Sequence, residues 1–334
     1  YTGEASILAI LMMIFGVAIL LLNQISVKSR KSYTTVTGKS GQISKFNLGR
    51  SGKYIIAIIL IIITFFTSIF PIVSFAFETF LPNPGDYSFL YTGDPDNLTT
   101  KWWVTNENIT ENGMYGQQGI LYNDMIWHAY KGTIMVSVCC ALTAGTIGTL
   151  IGYAVSKNRR SRWANYVNSV AFLPYLMPSI AVGVAFFILF SNKYVNLFNT
   201  YALLIIVGTV KYIPFASRSS LNSMLQLSGE IEEAAIIQDI PWTKRMTRII
   251  IPIQKTSIIS GYLLPFMTCL RELSLFILLC VQGFILSTTL DYFDEMGLYA
   301  FSSGINLILI VTILICNALV NKATGASLDK GIGG

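Results

Sequence analysis

Charged side chains set inside apolar runs are the residues of this sequence best placed to do chemistry, and the chemistry on offer is recognition rather than bond making. Lys211, Arg271 and Glu272 each interrupt such a run. An ionisable group in a membrane-embedded helix costs at least ~2.5–3.5 kcal/mol, so it faces a cavity or a partner. Between the runs, Glu230, Glu232 and Glu233 are followed by Lys244, Arg245 and Arg248, two clusters of opposite sign suited to holding a partner protein. Groups for catalysis are sparse. His128 is the single histidine, no nucleophile stands beside a base, and Thr37-Gly38-Lys39-Ser40 lacks the earlier glycine of a phosphate-binding loop. Cys139, Cys140, Cys269, Cys280 and Cys316 lie in apolar runs without metal-ligand spacing. The chain is expected to be no enzyme, with no cofactor and no metal.

The elements that position these charges are membrane helices. Hydrophobic residues make up 53% of the chain and charged residues 12%, with a mean hydropathy of +0.59, whereas a soluble domain carries ~25% charge. Apolar runs near the ~20 residues that cross a bilayer fall at 5–23, 54–77, 132–155, 166–190, 201–217, 257–281 and 302–320. The fold class is therefore all-α, a polytopic integral membrane helical bundle of about seven spans. Lys28, Arg30, Lys31, Lys39, Lys45, Arg50 and Lys53 fill one connection without an acid, and Lys157, Arg159, Arg160 and Arg162 crowd the next on that side. The positive-inside rule makes these cytoplasmic. The loop 78–124 has seven acids against Lys101 and belongs outside. The net charge of +6 is thus a topology signal, and no nucleic-acid partner is expected. On this reading the fragment begins outside and ends in a cytoplasmic tail at 323–334.

Residues 218–256 form a polar interruption with helical patterning of its own. Leu227, Ile231 and Ala235 recur every four residues, and Trp242, Met246 and Ile249 at four and three, so each short helix offers an apolar face beside a charged one. Gln238-Asp239-Ile240-Pro241 breaks them apart, since proline cannot continue a helix but fits the first turn of the next. The expectation is a bent helix–turn–helix outside the bilayer.

Within the spans, Gly148 and Gly152 have the four-residue spacing that lets helices approach closely. Pro174 and Pro178 free backbone carbonyls, which a bilayer tolerates only where protein or a water-filled cavity covers them; they either line a pathway or form a structural kink. Lys211 is near enough to Arg218 to snorkel towards the inner surface. Arg271 and Glu272 are adjacent and cannot share a helix face, so each needs its own partner. Trp102 and Trp103, among several Pro and Gly residues, suggest a partly ordered outer loop.

Glu233-Ala234-Ala235, then Asp239, then Ile249-Ile250-Ile251-Pro252 after nine further residues, resembles the EAA loop of permease subunits in ATP-binding-cassette importers. Asp239 stands where that family usually has Gly, and Ile251 where it has Leu; Asp tolerates a left-handed backbone better than most residues. The resemblance implies a type I importer permease fold. It also implies an ATPase-coupling interface at Glu232, Glu233, Ala234, Ala235, Asp239, Pro241, Trp242, Arg245, Ile249 and Pro252. The segment Leu173-Pro174-Tyr175-Leu176-Met177-Pro178 is similar to the family's proline-containing helix near the translocation path, and Arg271-Glu272-Leu273-Ser274 to a string in ferric-iron-type permeases. Pro174, Pro178, Lys211, Arg271 and Glu272 are accordingly the candidate path or switch residues. Residues 33–50 resemble the linker that joins two permease halves in that subfamily.

The implied organisation is the last helix of a preceding half at 1–23, a basic cytoplasmic linker at 24–53, and a six-span permease domain at 54–322. The domain contains the outer loop 78–125 and the coupling loop 218–256. The implied partners are a separate ATPase subunit, an extracytoplasmic substrate-binding protein, a second permease half and membrane lipid; the solute is of uncertain class, with ferric iron one candidate. A secondary transporter needs coupling groups near the midplane, where only Glu272 qualifies clearly. A seven-span receptor fits the topology but gives no reason for the spaced Glu-Ala-Ala pattern.

Overall fold

The computed structural model describes residues 49–324, except 84, 93–97, 110–115 and 192–193, together with isolated helical positions between 7 and 18. The expected span at 5–23, the linker at 24–53 and the tail at 323–334 lie wholly or largely outside the described residues. In chain order the principal helices are α1 (Ser51–Glu78), α2 (Asp124–Lys157), α3 (Arg162–Leu176), α4 (Ser179–Phe190) and α5 (Tyr201–Gln226), then α6 (Gly229–Ile237), α7 (Trp242–Ile253), α8 (Lys255–Leu270), α9 (Leu286–Glu295) and α10 (Tyr299–Thr324). Of these, α1, α2, α5 and α10 are long and apolar enough to cross a membrane unbroken, while α3 with α4 and α7 with α8 form pairs bent by 101° and 86°.

Helix ends follow local chemistry. The side chains of Asn123, Thr200 and Ser228 accept backbone N–H groups at the starts of α2, α5 and α6, satisfying donors that the first turn leaves free. α1 and α7 each widen into a π turn, Phe65–Ile69 and Met246–Ile250, just ahead of Pro71 and Pro252. Proline lacks the N–H that a regular turn requires and crowds the carbonyl four residues back, and the wider turn accommodates both.

At the centre α2 and α5 pack along most of their length, and α8 lies against both. Glycine makes this possible. A Cβ on Gly148 would sit 2.5 Å from the Ala216 Cβ and 2.7 Å from the Ser217 nitrogen, and one on Gly152 would sit 2.7 Å from the Leu221 nitrogen. The paired glycines are a packing device, as their spacing predicts.

Two predicted spans need correction. The fifth, expected at 201–217, is the helix Tyr201–Gln226, so Arg218 begins no loop. Its polar stretch is buried: Ser217, Ser219, Ser220 and Ser223 are all inside, with Ser220 donating to the Thr149 carbonyl at 3.3 Å and Ser219 to the Ser257 carbonyl at 3.2 Å. Small hydroxyls that find carbonyl partners read as a surface loop in sequence and pack as core in the fold. The sixth, expected at 257–281, ends as a helix at Leu270; residues 271–280 are turns and bends.

The described part of the connection between α1 and α2 has an ordered core, in keeping with its tryptophans. Trp102 is 1% exposed, donates its indole N–H to the Leu81 carbonyl at 2.7 Å and meets the Phe301 ring edge-on at 6.1 Å. With Ile120, Ile126, Leu286 and Phe293 it forms a hydrophobic cluster that caps one end of the bundle.

Candidate coupling site

Two groups of predicted site residues come together, one against the middle of α5 at Lys211 and Tyr212 and the other beyond its C-terminal end. The first surrounds the bend between α3 and α4. Met177 is extended with ψ 134° and Pro178 follows at φ −55°, the geometry imposed on a residue before proline. Pro178 has no N–H to give the Pro174 carbonyl, and the chain turns away before Met177 can be paired. The Lys211 ammonium supplies both missing donors, at 3.0 Å to the Pro174 oxygen and 2.6 Å to the Met177 oxygen. Lys211 is 8% exposed. It is a buried cap on an unwound turn rather than a snorkelling residue, because two orphaned carbonyls nearby offer it more than the distant surface does.

One residue further, the Tyr212 hydroxyl donates to Glu272 at 3.1 Å. The other Glu272 oxygen accepts the Leu275 N–H at 3.1 Å, and the Glu272 carbonyl accepts from Ser287 at 2.7 Å. Glu272 thus fastens the non-helical turn 271–280 to α5 and α9. Arg271, at the C-terminus of α8, is exposed. The pair lies beyond the helix, so the argument from adjacent helix faces does not apply; they still face different surroundings. At Gly183 of α4 a Cβ would come within 2.7 Å of the Leu275 carbonyl, so both interrupted helices meet at this knot.

The second group is the helix–turn–helix. α6 closes with the Asp239 N–H on the Ile236 carbonyl at 2.9 Å and the Ile240 N–H on the Ala235 carbonyl at 3.1 Å. Asp239 sits at φ +53°. This is the left-handed cap that favours glycine, and Asp239 occupies it at some strain. Pro241 then precedes α7, as expected.

The faces of these helices differ from the periodicity reading. In α6, Glu232 and Ala235 are buried, whereas Ile231, Ile236 and Ile237 are exposed. In α7 the π turn shifts the register, so Met246 and Ile250 are buried and Ile249 only half so. Glu232 goes inside because a hydroxyl and two basic side chains meet it there. Its carboxylate accepts from the Tyr153 hydroxyl at 2.5 Å, pairs with the Lys157 ammonium, and has the Arg245 Nε 3.9 Å away. Arg245 also donates to the Ile240 carbonyl at 3.0 Å across the turn. Burial pushes the Glu232 carboxyl up, but Lys157, Tyr153 and Arg245 outweigh it and hold it below its ordinary 4.5.

Of the ten predicted interface residues, Glu233, Ala234, Asp239, Pro241, Trp242 and Pro252 are exposed, while Glu232, Ala235, Arg245 and Ile249 turn inward to varying degrees. Tyr153, Lys157 and Tyr212 were not anticipated. Lys157 entered the sequence argument only as a topology signal, and no spacing rule links it to a glutamate so distant in the chain.

A bundle of helices long and apolar enough to cross a membrane, broken at prolines and carrying a charged helix–turn–helix with an exposed apolar edge, defines a polytopic membrane protein. The chain belongs to the family of binding-protein-dependent transport system inner membrane components, whose pattern it matches over residues 144–326. It is 24% identical over 279 residues to a protein of Haemophilus influenzae provisionally named a ferric transport system permease, covering 83% of this chain and 40% of that protein. It is 26% identical over 204 residues to the putrescine transport system permease protein PotI of Escherichia coli K12, covering 58% of this chain and 68% of that protein. The chain spans about two fifths of the length of the ferric-type relatives it matches. Its fold is similar to a chain in the crystal structure of a bacterial ABC transporter involved in alginate import, with a TM-score of 0.59 at 16% identity, covering 82% of this chain and 98% of that one.

Proposed function

We propose that this chain is one permease half of an ATP-driven importer, and that the α6–α7 helix–turn–helix is where the ATPase subunit docks. The observation carrying this reading is the exposed edge Glu233, Ala234, Ile236, Ile237 and Trp242, borne on a connection whose basic residues mark it as cytoplasmic. Isoleucine left in water beside a charged residue is unusual for an isolated loop and ordinary for a docking surface. ATP hydrolysis resides on the partner, and its closure biases the permease between two states. A second permease half pairs with it across the translocation path. Solute arrives from an extracytoplasmic binding protein at the face capped by the Trp102 cluster.

The knot of Pro174, Pro178, Lys211 and Glu272 is the switch in this scheme, joining two interrupted helices through two charged side chains. Ferric iron is the solute favoured by the 83% coverage of this chain in the ferric-type match; a polyamine is the second candidate, from the putrescine relative. Co-purification with the transporter's ATPase tests the docking. Glu233→Arg and Ala234→Trp, both on the exposed face, are expected to strip the ATPase from membrane-inserted protein. Undiminished co-purification in both variants would defeat the reading.

A further inference from the structure

Glu232 and Ala235 are the buried residues of α6, and the remainder of that nine-residue helix faces outward. Ala235 contributes a methyl group. Among the described residues, the side-chain hydrogen bonds and ion pairs that tie α6 to a membrane-crossing helix all run through Glu232, to Tyr153 and Lys157 in the last turns of α2. The chain alone is a loose connection, because α6 is flanked by the extended residues Leu227 and Ser228 on one side and the Asp239 turn on the other.

The rod to which Glu232 is tied has an outer end with contacts of its own. α2 is 34 residues long, which at ~1.5 Å per residue spans roughly 50 Å. At its far end the Thr133 hydroxyl oxygen accepts the Leu286 N–H at 2.7 Å, and the His128 ring contacts the Gly283 carbonyl at 3.0 Å. Gly148 and Gly152, in the third of the rod nearest Glu232, hold it against α5 too closely for independent sliding.

We infer that Glu232 is a positioning residue, one that fastens the partner-facing helix to α2 so that a push on α6 reaches the 283–286 segment through α2 rather than through the chain. This rests on the docking proposed above and adds the route beyond it. Spatial continuity makes a route available; coupling has to be measured.

The measurement uses the complete transporter in lipid vesicles, with spin labels replacing Tyr122 at the outer end of α2 and Ile188 in α4, both exposed. The label distance is compared between the nucleotide-free state and the state trapped with ATP and vanadate. Glu232→Lys and Lys157→Glu are each expected to retain the ATPase yet abolish most of the distance change. The double swap is expected to restore it, with a coupling loss in the singles of about tenfold. Glu232→Gln, which keeps the side-chain volume, is expected to show the same loss. Four results would overturn the inference: singles that respond like wild type, a double swap no better than the worse single, a wild type whose labels do not move, or loss of the ATPase in Glu232→Gln. The docking proposal fails separately, when Glu233→Arg and Ala234→Trp leave the ATPase bound.

Discussion

Two buried charges secure two of the places where this bundle departs from straight helix, and they do so by different means. At the bend between α3 and α4, Lys211 is held by backbone: its partners are the Pro174 and Met177 carbonyls, which exist as free acceptors because of Pro178. At the helix–turn–helix, Glu232 is held by side chains, those of Tyr153 and Lys157 with Arg245 close by. A cation bound to carbonyls cannot be moved without exposing the unwound turn. An anion bound to several side chains can lose one and keep the rest. The first is a fixture of the unwound turn and moves only with it, and the second is an adjustable link.

Removing the fixture should have the largest effect. Lys211→Met leaves two carbonyls without donors and strips Glu272 of a nearby cation, and losing one member of a buried charged set costs about 3–5 kcal/mol. The expected outcome is a sharp fall in monodisperse protein after detergent extraction, read by size-exclusion chromatography. Adding Glu272→Gln should recover part of the loss by removing the stranded charge, but not the part due to the carbonyls; full recovery would show that backbone capping is unimportant.

The adjustable link should respond more gently. Tyr153→Phe removes one charge-assisted hydrogen bond to Glu232 and should cost about 1.5–3 kcal/mol at most, visible as faster proteolytic nicking between α6 and α7. A loss as large as that of Lys211→Met would erase the contrast between the two sites.

Acid sharpens the same contrast. The Glu232 carboxyl titrates below its unfolded value of 4.5. Its contribution is therefore fully present above that value and disappears as pH falls through the depressed native value. Trp242, whose ring lies 6.2 Å from Tyr153, should keep its fluorescence unchanged around neutral pH and shift only on acidification below about pH 4.5; in Glu232→Gln that transition should vanish.

The smallest effect is expected at the turn. Asp239→Gly relieves a left-handed residue and should stabilise the cap by about 1 kcal/mol, slowing hydrogen exchange at the Asp239 and Ile240 amides. Faster exchange would mean that the aspartate side chain, rather than backbone geometry, secures the turn.

The two sites were not equally legible in the sequence. Pro174, Pro178 and the glycine pair announce themselves, because a missing N–H and a missing Cβ act wherever they occur. The turn at Asp239–Pro241 is likewise local. Which face of α6 turns inward was not readable: periodicity favours Ile231, whereas the fold buries Glu232, a choice decided by Lys157 and Tyr153 far away in the chain. Lys211 was misread for the same reason, since the carbonyls it caps belong to another helix. The π turn before Pro252 moved burial from Ile249 to Ile250, a one-residue shift that no regular helical period anticipates. Chemistry confined to a few neighbouring residues was visible, and chemistry requiring two distant segments was not.

The serine face of α5 has a consequence for how the protein is made. Ser217, Ser219, Ser220 and Ser223 find their place against neighbouring helices, and α5 is the least apolar of the four unbroken spans. Presented alone to lipid as it leaves the insertion machinery, such a segment has weak reason to stay. It becomes a comfortable resident only once the glycines of α2 are beside it and α8 arrives to supply the Ser257 carbonyl. Biogenesis is thus expected to hold α5 in a provisional position until a segment synthesised later completes its surroundings.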